Sequence, residues 1–260
     1  MTPHSDLASL LRLDGRVALV TGAGRGIGAG IARFFGAAGA EVHLMSRTLS
    51  DLESVASSIR AAGGAAVPHV CDATDSAAVR KLLGAMPIPD VVVNNAGTNH
   101  PEAFVDVSEA HLDEMIHLNA RAVFMVSQAA VRRMLQAPDR TARGGSLIHI
   151  SSQMGHVGSP NRTVYCMTKH AVEGLTKALA LELAPQGIRV NSVAPTFVDT
   201  PLVRRIVNTP EKRDFVLSRI PMGHLASIDD IAAAVLYLAS PAAAMVTGTC
   251  LKVDGGWTAQ

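Results

Sequence analysis

Short apolar runs alternate with helical patterns along the chain, and this alternation constrains the fold more than any other feature. The strand-like runs are Val17–Val20, Val42–Met45, Ala66–Val70, Val91–Val93, Leu147–Ile150, Ile188–Val193 and Cys250–Val253. Helical patterns are predicted at Ser50–Ala62, Ser76–Leu83, Ser108–Gln136, Thr163–Ala184 and Ile228–Ala239. Strands that alternate with helices form a parallel sheet covered by helices on both faces. The sequence therefore predicts an α/β doubly wound domain with a seven-stranded parallel sheet, spanning residues 1–260.

A glycine-rich turn, Thr21–Gly28, links the first strand to a helical pattern through Ile31 and Phe34. Glycines allow a tight turn and a close approach to a pyrophosphate, and the N–H groups at a helix start attract its charge. A simple strand-to-helix turn is the alternative. The residues expected to contact a dinucleotide here are Gly22, Gly24, Arg25, Gly26, Ile27 and Gly28.

The second strand ends at Ser46 and Arg47, without the acidic residue that would bind the ribose hydroxyls of NAD. A guanidinium suits a 2′-phosphate, and Arg25 can add a second positive charge. The sequence therefore predicts a preference for NADP(H), with NAD(H) as the alternative. In the other interpretation, Arg47 is an ordinary helix-start residue with its charged group in water.

A Tyr and a Lys are four residues apart, Tyr165 and Lys169, thirteen residues beyond Ser152. Positions i and i+4 share one face of a helix, and an ammonium there is expected to lower the pKa of the phenol. Ser152 follows the strand Leu147–Ile150, and its hydroxyl can donate to a substrate oxygen. The pattern indicates acid/base chemistry, although a chance pair on a solvated helix face is the alternative.

Composition excludes several classes of protein. A net charge of +1 and 3% aromatic residues give no basis for nucleic-acid binding. Three separated cysteines argue against a disulfide framework or a metal cluster, so no metal site is predicted. No apolar run reaches the ~20 residues that span a bilayer, and Met1–Leu13 lacks the pattern of a secretory signal. A cytoplasmic protein without membrane contact is expected.

Two breaker-rich segments are predicted to lie outside the regular elements. Pro138–Gly145 is expected to be a surface loop, and residues 196–226 to be a mobile flap over a substrate cleft. The flap is basic, with Arg204, Arg205, Lys212, Arg213 and Arg219 against Glu211 and Asp214. It can attract an anionic substrate or an acyl carrier, but a solvated basic helix face is the commoner explanation.

The turn Thr21–Gly28, the run Asn94–Gly97, Ser152 and the Tyr165/Lys169 pair occur in an order that resembles the short-chain dehydrogenase/reductase family. The resemblance covers about residues 14–257 and implies a Rossmann-type fold. It implies that Tyr165 is the general acid/base, that Lys169 holds the nicotinamide ribose and lowers the Tyr pKa, and that Ser152 orients the substrate oxygen. It also implies that Asn119 helps to hold a water that relays protons.

The resemblance assigns further coenzyme contacts. It implies that Asp72 and Ala73 meet the adenine, that Asn94 lies along the adenosine ribose, and that Val198 and Thr200 meet the nicotinamide carboxamide. Asp72 as a strand-end cap and Thr200 as a helix N-cap before Pro201 are the alternatives. One departure is Thr196, where the family usually has Gly, which alters the pocket beside the nicotinamide. The tail Val253–Gly256 matches a region that packs between subunits, which implies a homotetramer.

The expected function is an NADP(H)-dependent oxidoreductase that interconverts a secondary alcohol and a ketone, both small molecules. Gln153 and His156 follow Ser152 and are predicted to line the substrate pocket with it, although His156 is equally well explained as a structural residue. The alternatives are the same chemistry with NAD(H) on a sugar, polyol or 3-oxoacyl thioester, and a protein that senses NADP(H) without turnover.

Overall fold

A computed structural model of the chain describes residues 7–200, 203–204 and 207–260 and contains a seven-stranded sheet. The strands are β1 (Val17–Thr21), β2 (Glu41–Ser46), β3 (Ala65–Val70), β4 (Val91–Asn94), β5 (Gly145–Ile150), β6 (Ile188–Pro195) and β7 (Cys250–Val253). All neighbours pair in parallel, in the order β3-β2-β1-β4-β5-β6-β7. The predicted fold is therefore confirmed, and the strand bounds differ from the predicted ones by at most two residues.

Helices connect these strands. They are α1 (Leu7–Leu10), α2 (Gly26–Ala37), α3 (Leu49–Ala61), α4 (Ser76–Ala85), α5 (Glu109–Ile116), α6 (Val123–Met134), α7 (Arg140–Arg143), α8 (Thr163–Leu183), α9 (Pro210–Leu217) and α10 (Ile228–Ala239). The single helix predicted at Ser108–Gln136 is interrupted by a π-helical turn, His117–Ala122, between α5 and α6. Within the described residues, no helix is both long and apolar enough to cross a membrane.

The predicted flap lies partly outside the described residues, which exclude Pro201, Leu202 and Arg205. Its described part includes α9, which Thr209 caps by accepting a hydrogen bond from the Lys212 N–H. Arg204 forms an ion pair with Asp199, with Nε 2.7 Å from Oδ1. Part of the basic charge is thus balanced within the chain.

Each face of the sheet is covered by its own apolar cluster. Ala18 and Val20 of β1 contribute to the cluster beneath α2, α3 and α10, whereas Leu19 between them contributes to the cluster beneath α4, α6 and α8. Successive side chains of a strand point to opposite faces, so a strand covered on both sides is apolar throughout. This explains the unbroken apolar runs and leaves the strand ends as the place for polar chemistry.

The segment Pro138–Gly145 corrects a prediction, because it is not simply a surface loop. It contains the start of β5 and helix α7, whose first residue, Arg140, is buried. Arg140 Nη1 lies 3.0 Å from Asp90 Oδ1, and Arg143 Nε lies 2.7 Å from the same oxygen. The Asp90 carboxylate, buried just before β4, needs cationic partners. The segment Pro138–Gly145 supplies them, although Arg140 lies 50 residues later in the sequence.

We expect Asp90→Asn to destabilise the protein strongly. Loss of one partner of a buried ion pair typically costs about 3–5 kcal/mol, because the other charge stays buried, and each kcal/mol lowers Tm by about 2–4 °C in a protein of this size. Hydrogen bonds from Arg143, the Val17 N–H and Arg140 outweigh the opposing effect of burial and hold the pKa of Asp90 below its usual value. The stabilisation is therefore complete above about pH 4 and is lost as pH falls through the folded-state pKa.

Thermal unfolding of the wild type and Asp90→Asn at neutral and acidic pH measures this effect. The matched control is Asp14→Asn, which breaks the exposed ion pair with Arg12. Water screens that pair, so its loss is expected to leave Tm unchanged. Equal Tm values for the two variants would show that the Asp90 cluster does not stabilise the fold.

Candidate active site

Ser152, Tyr165 and Lys169 come together at the carboxyl end of β5. Ser152 follows the strand directly, and its buried Oγ donates to Gln153 Oε1 at 2.8 Å and accepts from the Met154 N–H at 3.1 Å. Tyr165 and Lys169 lie one turn apart on α8, with Lys169 Nζ 5.5 Å from the centre of the Tyr165 ring. Lys169 Nζ also donates to the carbonyl oxygen of Ile150 at 2.8 Å. The strand end thus meets the helix face that carries the acid/base pair.

The environment of Tyr165 differs from the expectation. Burial raises the pKa of its phenol, and the interaction with the neighbouring Ser152 hydroxyl lowers it by less. Burial also lowers the pKa of Lys169 to about 8, against the opposing effect of the Glu173 carboxylate. The prediction that the Lys169 ammonium lowers the pKa of Tyr165 is therefore wrong, because burial has the larger effect on that pKa. At neutral pH the phenol holds its proton and the amine is charged.

Asn119 lies in the π-helical turn and is fully buried. Its Oδ1 accepts from the Thr98 N–H, and its Nδ2 donates to the Thr98 carbonyl oxygen, both at 2.8 Å. Nδ2 also lies 3.3 Å from Thr168 Oγ1 on α8. The side-chain amide therefore ties the chain after β4 to the catalytic helix. The role of Asn119 in holding a water stays a prediction. Its position in a π-helical turn agrees with a functional role, because such turns are frequent at functional sites.

A cavity of about 720 Å³ opens at the carboxyl ends of β1, β2, β3 and β4. It is lined by the predicted residues Gly22, Gly24, Arg25, Gly26, Ile27, Arg47, Asp72, Ala73 and Thr200. Gly97 also lines it, and a Cβ there would lie 3.2 Å from Asn119 Oδ1 and 3.9 Å from Lys169 Nζ. Gly97 therefore forms the boundary between the cavity and the catalytic side chains. Such a crevice outside parallel strand ends is where dinucleotides bind in this fold.

The glycines of the first turn explain how the chain approaches this cavity. Gly26 has a φ of +56°, in the left-handed region that glycine adopts without steric cost. A Cβ on Gly28 would stand 2.4 Å from the Gly22 carbonyl oxygen, closer than any real contact. Gly28 therefore shapes the turn and lies outside the cavity lining, and its contact with the coenzyme stays a prediction.

Two arginines stand at the cavity wall formed by the glycine turn and the end of β2. Arg25 and Arg47 are both exposed and both line the cavity. Neither guanidinium forms a hydrogen bond or an ion pair within the described part of the chain. Ser46 and Thr48 flank Arg47 on the same wall, and Asp51 on α3 also lines it. Two unpaired cations are thus available to an anionic group bound there.

Asp72 both lines the cavity and caps the end of β3. Its Oδ1 accepts from the Thr74 N–H at 2.9 Å and from Thr74 Oγ1 at 2.8 Å. Burial opposes ionisation, but these hydrogen bonds and the charges of Arg47 and His117 together lower the pKa of Asp72. Asp72 can therefore act both as a cap of the strand end and as a coenzyme contact, because its carboxylate is held in place beside Ala73 in the cavity wall.

Asn94 requires a correction. Its side chain is buried, and Nδ2 donates to Ser127 Oγ on α6 at 2.9 Å, so it points into the core and outside the cavity lining. The next residue, Asn95, lines the cavity instead. Neighbouring residues at a strand end face opposite directions, so the register decides which Asn faces the cavity.

Two other predicted residues also lie elsewhere. Val198 is buried in the apolar cluster under α2 and α10, and its side chain does not line the described cavity. His156 turns away from Ser152, with Nε2 3.1 Å from Cys250 Sγ and 3.5 Å from Glu173 Oε1. Its prediction as a pocket residue is therefore corrected in favour of the structural alternative.

Thr21 and Asn95 are site residues whose roles the sequence analysis missed. Thr21 Oγ1 accepts from the N–H groups of Asn95 and Ala96, at 3.0 and 3.1 Å. Asn95 Nδ2 donates back to the carbonyl oxygens of Thr21 and Gly22, at 2.9 and 3.2 Å. These bonds fasten the glycine turn to the end of β4. Both residues lie in motifs found in the sequence, the turn Thr21–Gly28 and the run Asn94–Gly97, but neither motif predicts the contact between them or distinguishes the two asparagines.

The cavity fits a dinucleotide, since a Cβ on Gly22, Gly24 or Gly28 would lie within 2.9 Å of a neighbouring atom and the cavity wall carries two cations. A family model described as enoyl-(acyl carrier protein) reductase matches residues 22–258. The chain belongs to the short-chain dehydrogenase/reductase family. It is an NAD(P)-dependent oxidoreductase that acts on CH–OH groups.

Similar proteins cover nearly the whole chain. L-xylulose reductase of Bos taurus is 41% identical over 252 residues, which cover 96% of this chain and 99% of that protein. A 3-oxoacyl-[acyl-carrier-protein] reductase of Thermotoga maritima is 37% identical over 251 residues, covering 95% and 99%. A gluconate 5-dehydrogenase from Burkholderia cenocepacia, crystallised with NADP and tartrate, superimposes with a TM-score of 0.91 at 33% identity, covering 98% and 100%.

Proposed function

We propose that this protein is an NADP(H)-dependent reductase that converts the ketone group of a sugar or polyol derivative into a secondary alcohol. The observation that carries the proposal is the position of Ser152, Tyr165 and Lys169 beside a cavity whose wall presents Arg25 and Arg47. The first three residues suit proton transfer to a carbonyl oxygen, and the two arginines suit a 2′-phosphate.

The coenzyme would be held by the residues that line the cavity. The glycine turn and the start of α2 would bind the pyrophosphate, Arg25 and Arg47 the 2′-phosphate, and Asp72 with Ala73 the adenine. Lys169 would reach the nicotinamide ribose past Gly97, and Thr200 the carboxamide. When bound, NADPH supplies the hydride that is added to the carbonyl carbon.

The protein residues supply the proton and stabilise charge on the oxygen. The Tyr165 hydroxyl donates its proton to the carbonyl oxygen, while the Ser152 hydroxyl stabilises the developing negative charge. Because burial raises the pKa of Tyr165, its phenol holds a proton at neutral pH, as a proton donor to a carbonyl oxygen requires. The charged Lys169 then favours the phenolate that remains, until its own pKa of about 8 is passed.

Buried polar groups around Ser152 favour a hydroxylated substrate over an apolar one. Gln153 is buried, and its Oε1 accepts a hydrogen bond from the Ser152 hydroxyl. Thr196 is also buried, and its Oγ1 has no hydrogen-bond partner among the described residues. A substrate hydroxyl would satisfy such groups, whereas an acyl chain would leave them unpaired. The L-xylulose reductase and gluconate dehydrogenase relatives support this choice, and the 3-oxoacyl thioester reductase supports the alternative.

A panel of ketoses, simple ketones and 3-oxoacyl thioesters, each assayed with NADPH and NADH, tests the proposal. We expect the highest kcat/KM for a ketose such as L-xylulose with NADPH. Faster turnover of the thioesters would favour the acyl substrate, and faster turnover with NADH would overturn the coenzyme assignment. Coenzyme binding without turnover of any compound would favour a sensor of NADP(H).

A further inference from the structure

Three potential metal ligands from distant parts of the chain meet at the edge strand β7. His156 follows the short turn after β5, Glu173 lies on α8, and Cys250 begins β7. One ligand atom from each lies within 4.8 Å of the other two. None of the three lines the coenzyme cavity. The separation of the cysteines in the sequence predicted no metal site, but folding places Cys250 beside an imidazole and a carboxylate.

Two ligand–ligand distances in this His156–Glu173–Cys250 cluster are close to those of tetrahedral coordination. With usual zinc bond lengths of about 2.0–2.3 Å, tetrahedral geometry separates N from S by about 3.6 Å and N from O by about 3.3 Å. In the cluster, His156 Nε2 lies 3.1 Å from Cys250 Sγ and 3.5 Å from Glu173 Oε1. Small side-chain rotations would therefore bring all three atoms to bonding distance of one ion.

The charge in the cluster also requires a cation. Glu173 is buried; both of its oxygens accept from Ser192 Oγ, at 3.0 and 2.9 Å, and His156 Nε2 lies 3.5 Å from its Oε1. Lys169, one turn earlier on α8, directs its ammonium to the Ile150 carbonyl instead. Among the described residues, Glu173 has no Lys or Arg within ion-pair distance. A buried carboxylate whose neighbours are a neutral hydroxyl and one imidazole is costly, and a metal ion held by the three ligands would supply permanent positive charge.

We propose that His156 Nε2, the Glu173 carboxylate and Cys250 Sγ form a binding site for Zn²⁺ or a similar divalent transition metal. Imidazole and thiolate ligands favour such ions over Mg²⁺ and Ca²⁺, which bind oxygen ligands. On binding, the Cys250 S–H bond is replaced by a sulfur–metal bond, and the proton passes to solvent. Three protein ligands leave a fourth position for water, and His156 and Cys250 are partly exposed and give access.

The site has a structural consequence for the catalytic residues. His156 lies four residues after Ser152, and Glu173 lies four residues after Lys169. A bound metal would join both segments to β7. Ser192, which pairs in register with Cys250, holds the carboxylate in place as a supporting group. We expect metal binding to stabilise the folded protein, because the ion links three segments that are separate in the unfolded chain.

Titration of the chelator-treated, tag-free protein with Co²⁺ tests the site, because a thiolate ligand gives Co²⁺ a charge-transfer absorption that imidazole and carboxylate ligands do not. We expect one Co²⁺ per chain with this absorption, and its displacement by Zn²⁺. Cys250→Ser should abolish the absorption, and Glu173→Gln should weaken Co²⁺ binding at least tenfold. Cys166→Ser, which changes another partly buried thiol, is the matched control and should retain the absorption.

Thermal unfolding gives a second, independent measurement. Zn²⁺ should raise the Tm of the wild type and of Cys166→Ser but not of Cys250→Ser. The proposal would be overturned by the absence of the charge-transfer absorption in the wild type, or by its persistence in Cys250→Ser. An equal Zn²⁺ effect on the Tm of wild type and Cys250→Ser would also contradict it, because that result indicates binding at surface histidines only.

Discussion

Tyr165→Phe is expected to fold and to bind coenzyme but to lose nearly all turnover. The change removes only the hydroxyl, which lies beside Ser152 and carries the proton in the proposed reaction. Loss of a general acid typically lowers the rate by about 10² to 10⁴, and by more when the same group stabilises the developing oxyanion. The measurement is kcat with the best substrate of the panel, together with the dissociation constant for NADPH.

The second tyrosine of the chain provides the matched control. Tyr237 packs on the apolar cluster beneath α10, away from the cavity lining. Tyr237→Phe is expected to keep kcat close to that of the wild type. If Tyr165→Phe retained kcat within about threefold of the wild type, Tyr165 would be excluded as the proton donor, since general acids contribute far more than this.

Arg47→Asp is expected to reverse the coenzyme preference from NADP(H) to NAD(H). The exposed guanidinium lines the cavity wall with Arg25, and neither is paired within the described residues. A hydrogen bond to a charged group contributes about 1.5–3 kcal/mol, so a wild-type preference of about ten- to a hundredfold for NADPH is expected. A carboxylate at position 47 would repel the 2′-phosphate and accept hydrogen bonds from the ribose diol.

The measurement is kcat/KM for NADPH and NADH on one ketone, in the wild type and the variant. Arg80→Asp makes the same charge change on α4, outside the cavity lining, and should leave the preference unchanged. A wild-type preference for NADH would contradict the assignment. It would indicate that Asp51, on the same wall, binds the ribose while Arg47 points into water.

The sequence by itself determined the features that depend on neighbouring residues. Apolar runs of three to six residues predicted the strands, because the central strands are buried on both faces. The glycine turn Thr21–Gly28 could be recognised because only glycine at position 28 tolerates the required approach to the Gly22 carbonyl oxygen. The spacing of Tyr165 and Lys169 was also sufficient to place both on one face of α8.

The tertiary structure decided which of two adjacent candidates meets the cavity. Asn94 and Asn95 are chemically identical, and only the register of β4 beside β5 turns Asn94 towards Ser127. The π-helical turn around Asn119 could not be predicted from the sequence either, because the hydrogen bonds that hold the Asn119 side chain are made to Thr98, 21 residues earlier. Sequence periodicity describes a regular helix and not a local change in its winding.

Long-range contacts also decided the charges and their environments. Arg140 was assigned to a surface loop because its partner, Asp90, lies 50 residues earlier. The i, i+4 spacing of Tyr165 and Lys169 predicts a lowered pKa for the phenol, yet burial raises it. His156 and Cys250 are 94 residues apart and meet only because β7 completes the sheet beside β6. A pKa or a ligand set depends on all atoms within a few ångströms, and most of those atoms belong to residues that are distant along the chain.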